Sequence, residues 1–168
     1  MNHRLEFVSG ESISWLGRTY RLKVIEQQQE PLRLEGEWFW LRRCASGEAT
    51  AHFRQWFIDT GTPWLERRVK SWQRKTGAVP ARVAIDDLGY RWGSCSKDGT
   101  VRFNWHLLQL PVRQVDYVIV HELTHLTVRN HSPEFWQAVE RVLPDWRGRK
   151  EELSRASKEI FWCEAKSA

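Results

Sequence analysis

The chain has a single methionine, Met1, only three cysteines, and no apolar run near the ~20 residues that span a bilayer. Each scarcity excludes something. Cys44, Cys95 and Cys163 form no Cys-x-x-Cys pair and are odd in number, so a disulfide framework is not expected and a reducing compartment fits best. The opening Met-Asn-His-Arg-Leu-Glu lacks the apolar core of a signal peptide, and the expected location is the cytoplasm, with no membrane partner. No repeat, low-complexity tract or linker divides the 168 residues, which suit one domain with a real core and are too few for two. Acidic surplus is also missing. The net charge of +5 permits an anionic partner (nucleic acid, nucleotide phosphate or acidic peptide) without demanding one. Tryptophan, by contrast, is abundant: 11 such side chains can fill a small core or line a binding cleft, and burial is the expected role for most.

The most informative stretch is Val118-Ile119-Val120-His121-Glu122-Leu123-Thr124-His125. It sets His-Glu-x-x-His inside an apolar run at helical spacing. Residues four apart share a helix face, so His121 and His125 can aim their imidazoles at one ion. Glu122 then stands within reach of a water held there. Zinc suits this donor set, because it accepts neutral imidazole nitrogen and keeps a position open for water. His131 follows His125 by six residues. For it to turn back toward the same ion the helix must end first, and Arg129-Asn130 offers a stop, since Asn tolerates the left-handed conformation. Ser132-Pro133 reads as an N-cap followed by proline at the first position of a new helix. One zinc per chain on His121, His125 and His131 is the expectation. The spacing matches the long metzincin motif, but Val128 stands where that motif has glycine and no later methionine exists for a Met-turn, so the chain is not a metzincin.

Around this stretch the pattern predicts an α+β domain over residues 1–168. Residues 12–43 read as a small antiparallel β-module, with turns at Leu16-Gly17-Arg18 and Glu35-Gly36-Glu37. Ala49, Phe53, Trp56 and Phe57 predict a helix over 48–59 that Gly61 and Pro63 interrupt or kink; it resumes to Thr76 and stops at Gly77. Arg67, Lys70 and Arg74 lie on one face of it, with Arg68 and Lys75 beside them. That stripe is either solvated surface or a contact for phosphate. Strands are expected at Arg82–Asp86, Tyr90–Cys95 and Val101–Asn104, the last two joined by a Ser96-Lys97-Asp98-Gly99 hairpin turn. Helices should follow at 112–128, 133–143 and 149–160.

Several of these segments together resemble a known family. Tyr90-Arg91-Trp92-Gly93-Ser94-Cys95-Ser96, Gly99 to Asn104, Pro111, Asp116–Leu126 and Asn130-His131-Ser132-Pro133-Glu134-Phe135-Trp136 are similar to the YgjP-like metallopeptidase domain, whose core is similar to that of the SprT-like proteases. The dense match covers about residues 80–145, and the matched metal positions show no departure. The resemblance implies a zincin-like fold, zinc on His121, His125 and His131, and Glu122 as general base.

Three readings compete at this level. The leading one is a zinc peptidase in which Glu122 takes a proton from metal-bound water, Arg91, Asn104 or Tyr117 assists a developing oxyanion, and the strands offer an edge to an extended substrate. The second is hydrolysis of a nucleoside triphosphate at its phosphoanhydride, using the same site with arginines and stacking tryptophans. The third is a nucleic-acid- or protein-binding module with structural zinc, which needs a fourth protein ligand such as Cys95. Glu151 or Glu152 could replace His131 as third ligand. His3, His52 and His106 fall outside the spacing and read as surface or packing residues.

Overall fold

The structure, a computed structural model, describes residues 5–158 and 160. Alternating apolar residues build its first sheet from β1 (Ser12–Trp15), β2 (Arg18–Ile25), β3 (Leu32–Glu35) and β4 (Trp38–Arg42). Ile13, Tyr20, Leu22, Leu32, Phe39 and Leu41 all turn to one buried face. Both hairpins are antiparallel as expected, but the sheet order is β1-β2-β4-β3 and β2 pairs with β4 in parallel, Leu22 opposite Phe39. The sheet is therefore mixed. Alternation specifies which face is buried, not strand direction, and the crossing loop 26–31 places the second hairpin beside the first with its apolar face on the same side.

Helix α1 (Ala49–Thr76) runs on through Gly61 and Pro63, so of the interruption or kink expected there the interruption is absent. Pro63 removes one amide donor, yet the packing on either side of it holds the helix together. Phe53 and Phe57 join Phe39 and Trp105 under the first sheet, while Leu65, Val69 and Trp72 enter a second core with Val115, Ile119 and Leu123. Gly61 is buried at the joint, where a Cβ would meet Leu108 Cδ1 at 2.3 Å. Burial along the whole length outweighs the ~3 kcal/mol helix penalty of one proline. Gly77, at φ 69°, closes the helix where expected.

The second sheet contains β5 (Arg82–Asp86), β6 (Gly93–Cys95) and β7 (Thr100–Asn104) in the order β5-β7-β6. β6 and β7 form the expected hairpin, with Gly99 at φ 81° in its turn. β5 runs parallel to β7, so this sheet is mixed as well. The strand expected at 90–95 shortens to 93–95, because Gly89 and Arg91 are held in a turn: Asn104 Nδ2 donates to both their carbonyls at 2.8 Å.

Helix α2 (Val112–Thr124) carries His121, has His125 at its C-cap, and is buried on nearly every side. It ends four residues earlier than the pattern predicts. Leu126 and Thr127 donate to Leu123 and Thr124 in tighter i→i−3 bonds, which start the turn toward His131. α3 (Pro133–Val142) begins as expected, with Ser132 accepting from Phe135 N–H. α4 (Trp146–Ala156) starts earlier than expected because Trp146 stacks on Trp136 at 4.3 Å and is drawn into the core. No helix among the described residues is long and apolar enough to cross a membrane.

Asp116 locks the metal helix to α1. Its buried carboxylate accepts from Arg68 Nε and Nη2, both at 2.6 Å, and from Trp72 Nε1 at 2.8 Å. Arg68 therefore turns inward and leaves the basic stripe. Asp116→Asn removes the charge and misdirects one acceptor. We expect a loss of about 2–3 kcal/mol, read from the urea midpoint; an unchanged midpoint would remove the lock from this account.

Candidate metal centre

The one-turn spacing from the last turn of α2 to its C-cap brings His121 and His125 together, and the turn that follows returns His131 to them. The three Nε2 atoms form a near-equilateral triangle: 3.2 Å from His125 to His121, 3.1 Å from His125 to His131 and 3.0 Å from His131 to His121. Tetrahedral zinc with bonds of ~2.0–2.1 Å sets its nitrogens ~3.3 Å apart, so this triangle fits one ion. The tautomers agree. His125 Nδ1 donates to the Val128 carbonyl at 3.1 Å, which leaves the lone pair on Nε2 facing the other two rings. Burial, reinforced by the charges of the neighbouring histidines and Lys150, holds His121 down to about 3; burial also lowers His125. Both shifts favour the neutral imidazole that metal binding requires. His121 Nδ1 is buried without a partner.

Among the described residues, these three histidines are the group that can hold a metal. Cys95 lines the same cleft but its thiol is not in the group, and burial followed by the charge of Glu122 pushes its pKa up. Glu152 is committed elsewhere, accepting from Gln114 Nε2 at 2.7 Å and Arg113 Nε at 3.1 Å. His106 is bonded to Gln109 and lies against Trp105, while His52 neighbours Glu48. His3 and Cys163 lie outside the described residues.

Phe135 backs the centre. Its ring centroid is 4.9 Å from His121, 4.5 Å from His125 and 4.9 Å from His131. In the sequence it stands only within the family-like segment Asn130–Trp136, with no role of its own in the site. Its contact with all three rings needs the tertiary turn.

Glu122 sits beside the triangle, 6% exposed, at the wall of a cleft of about 350 Å³. Burial pushes its pKa up to about 7, with Arg91 pulling the other way. Gly93 presses directly on it: a Cβ there would lie 2.7 Å from Glu122 Cγ and Oε1. This is a close-approach glycine that the sequence reading placed in a strand and gave no role. Gly93→Ala must displace Glu122 and spare the histidines. We expect hydrolytic activity to fall about 10–100-fold with metal content unchanged, since sub-ångström misplacement of a reacting group has effects of that order. Wild-type activity in that variant would mean that Glu122 does not need its observed position.

The remaining expected contacts separate. Arg91 lines the cleft. Tyr117 is buried with its ring 6.0 Å from His121, and burial, then the charge of Glu122, pushes its hydroxyl up to about 12. Asn104 is fully buried and spends both amide hydrogens on the 89–91 turn, with its oxygen accepting from His106 N–H, so it supports the loop and does not face the cleft. Arg67, Lys70 and Arg74 stay exposed on α1. Lys70 borders a separate groove of about 660 Å³ between α1 and β5, with Glu66, Gln73 and Arg82. The structure does not bring the stripe to the metal cleft.

Three converging imidazoles with a carboxylate beside them, set in an α+β domain next to a strand edge, define the class: a metal-dependent peptidase domain. The chain belongs to the family of YgjP-like metallopeptidase domains, whose model matches residues 1–156. Among solved structures it is similar to the metallopeptidase zymogen abylysin of Pyrococcus abyssi, at 25% identity and a TM-score of 0.50, over 58% of this chain and 98% of that one. No curated protein matches the chain.

Proposed function

We propose that the protein is a zinc-dependent peptidase, acting as one domain, in which His121, His125 and His131 hold the ion and Glu122 is the general base. The observation that carries this reading is the Nε2 triangle with Glu122 beside it, in a cleft walled by β6. The chemistry that zinc supplies in such a triad is acidification of water and polarisation of a carbonyl oxygen. Glu122 accepts the proton of the attacking water and passes it to the amine nitrogen as the C–N bond breaks. Gly93 fixes the carboxylate, and Phe135 with the Val128 carbonyl fixes the imidazoles. β6 lies at the end of its sheet and packs against α2. Its outer edge can therefore take an extended peptide as one more strand.

Two observations favour this over the other readings. Among the described residues that line the metal cleft there is no tryptophan, and Trp136 lies behind it with its face already stacked on His131, so the stacking surface that the triphosphatase reading needs is not offered there. Among the described residues three protein donors converge, whereas a structural zinc site is closed by four. Cys44 and Cys95 carry free thiols, which supports a cytoplasmic setting. The test is a parallel incubation of the zinc-loaded protein with casein and with a nucleoside triphosphate panel, each with and without chelator. Chelator-sensitive casein cleavage is the expected result. Phosphate release with casein intact would reverse the assignment.

A further inference from the structure

We infer that the metal cleft is an acidic-peptide site, in which Arg91 and Arg129 receive carboxylate side chains on the two sides of the scissile bond. The inference rests on the peptidase reading for the word peptide, and on the cleft itself for the word acidic.

Both arginines line the cleft, and among the described residues Glu122 is the one carboxylate that lines it with them. They stand toward opposite ends of β6. Arg91 precedes the strand, and its positive charge reaches Glu122. The turn that carries it is pinned from below, where buried Asn104 holds the Arg91 carbonyl at 2.8 Å. Arg129 follows α2 and leans on the tip of the β6–β7 hairpin, its Nη2 3.4 Å from the Lys97 carbonyl. Its charge reaches Cys95 and His125. Neither guanidinium has a carboxylate within ion-pair distance among the described residues. Arg68, Arg113 and Arg149 all do, at 2.6, 2.8 and 3.0 Å.

A planar guanidinium left without a carboxylate at the rim of a half-enclosed cleft is a receptor for an external one, and it binds in the paired geometry that carboxylates offer. A peptide laid along β6 turns alternate side chains toward the cleft walls. Side chains reaching Arg91 and Arg129 then lie on either side of the bond next to Glu122. The same electrostatics disfavours lysine or arginine at those positions.

The test uses three fluorescent peptides, identical except for Glu, Gln or Lys at the positions flanking one bond. Binding to zinc-loaded Glu122→Gln protein is followed by anisotropy, and cleavage is measured with the wild type. The Glu peptide should bind about tenfold more tightly than the Gln peptide, as charge-assisted hydrogen bonds allow, and that margin should shrink as salt rises. Arg91→Gln with Arg129→Gln should abolish the margin; Arg91→Glu with Arg129→Glu should shift preference to the Lys peptide. Circular dichroism and zinc content establish that the variants are folded. Equal binding of the Glu and Gln peptides, or a margin that survives both double variants, overturns the inference. Cleavage of all three peptides at equal efficiency overturns it while sparing the peptidase reading. Acid-selective binding without any cleavage upholds the receptors and removes the peptidase reading.

Discussion

Glu122→Gln should leave a folded protein with a full complement of zinc and lower hydrolysis by ~100-fold or more, the scale expected when a general base is lost. Gln keeps the size of the side chain and can still occupy the space against Gly93, so the substitution removes basicity and little else. Glu122 is not one of the three converging donors, which is why metal content should not change. Any chelator-sensitive hydrolysis by the wild type can serve as the readout. A variant that hydrolyses at near wild-type rate would show that Glu122 is not the base. One that loses zinc would assign Glu122 to the architecture of the centre.

His131→Ala should lower zinc affinity by about 100-fold or more and remove the stabilisation that zinc confers. Of the three ligands His131 is the most exposed, and it sits on a turn between α2 and α3 outside both helices. Its replacement therefore leaves no buried cavity, and a loss of stability in the zinc-loaded protein reports metal linkage, not packing. Melting curves with and without zinc separate the two. The wild type should gain stability with added zinc and the variant should gain far less. Full zinc occupancy in His131→Ala would remove His131 from the ligand set.

The centre was legible in the sequence because its logic is local. His121 and His125 are one turn apart at the end of a strongly apolar segment, and Ser132 and Pro133 spell out the restart after His131; the stop falls at Thr124, not at Asn130, whose φ is not left-handed. The supporting parts were not legible, because they depend on where distant segments meet. Gly93 acquires its role only when β6 lies against α2, and Asp116 only when α1 supplies Arg68 and Trp72. Phe135 reads as core until the turn swings α3 behind the imidazoles. Pro63 was misleading for the same reason: propensity argues for a break, and burial of Phe57, Gly61 and Leu65 on one continuous face overrides it. The direction of β4 beside β2 was not encoded in alternation at all. Arg68 illustrates the same dependence, since helical periodicity set it only beside the basic stripe and a buried carboxylate from α2 gives it its partner.

Zinc K-edge absorption of the loaded protein tests most directly whether the centre is open and held by three histidines. It should show three imidazole ligands and one further light atom from solvent, with no sulfur. A sulfur scatterer at ~2.3 Å would make Cys95 a ligand, close the site with four protein donors and contradict the hydrolytic reading.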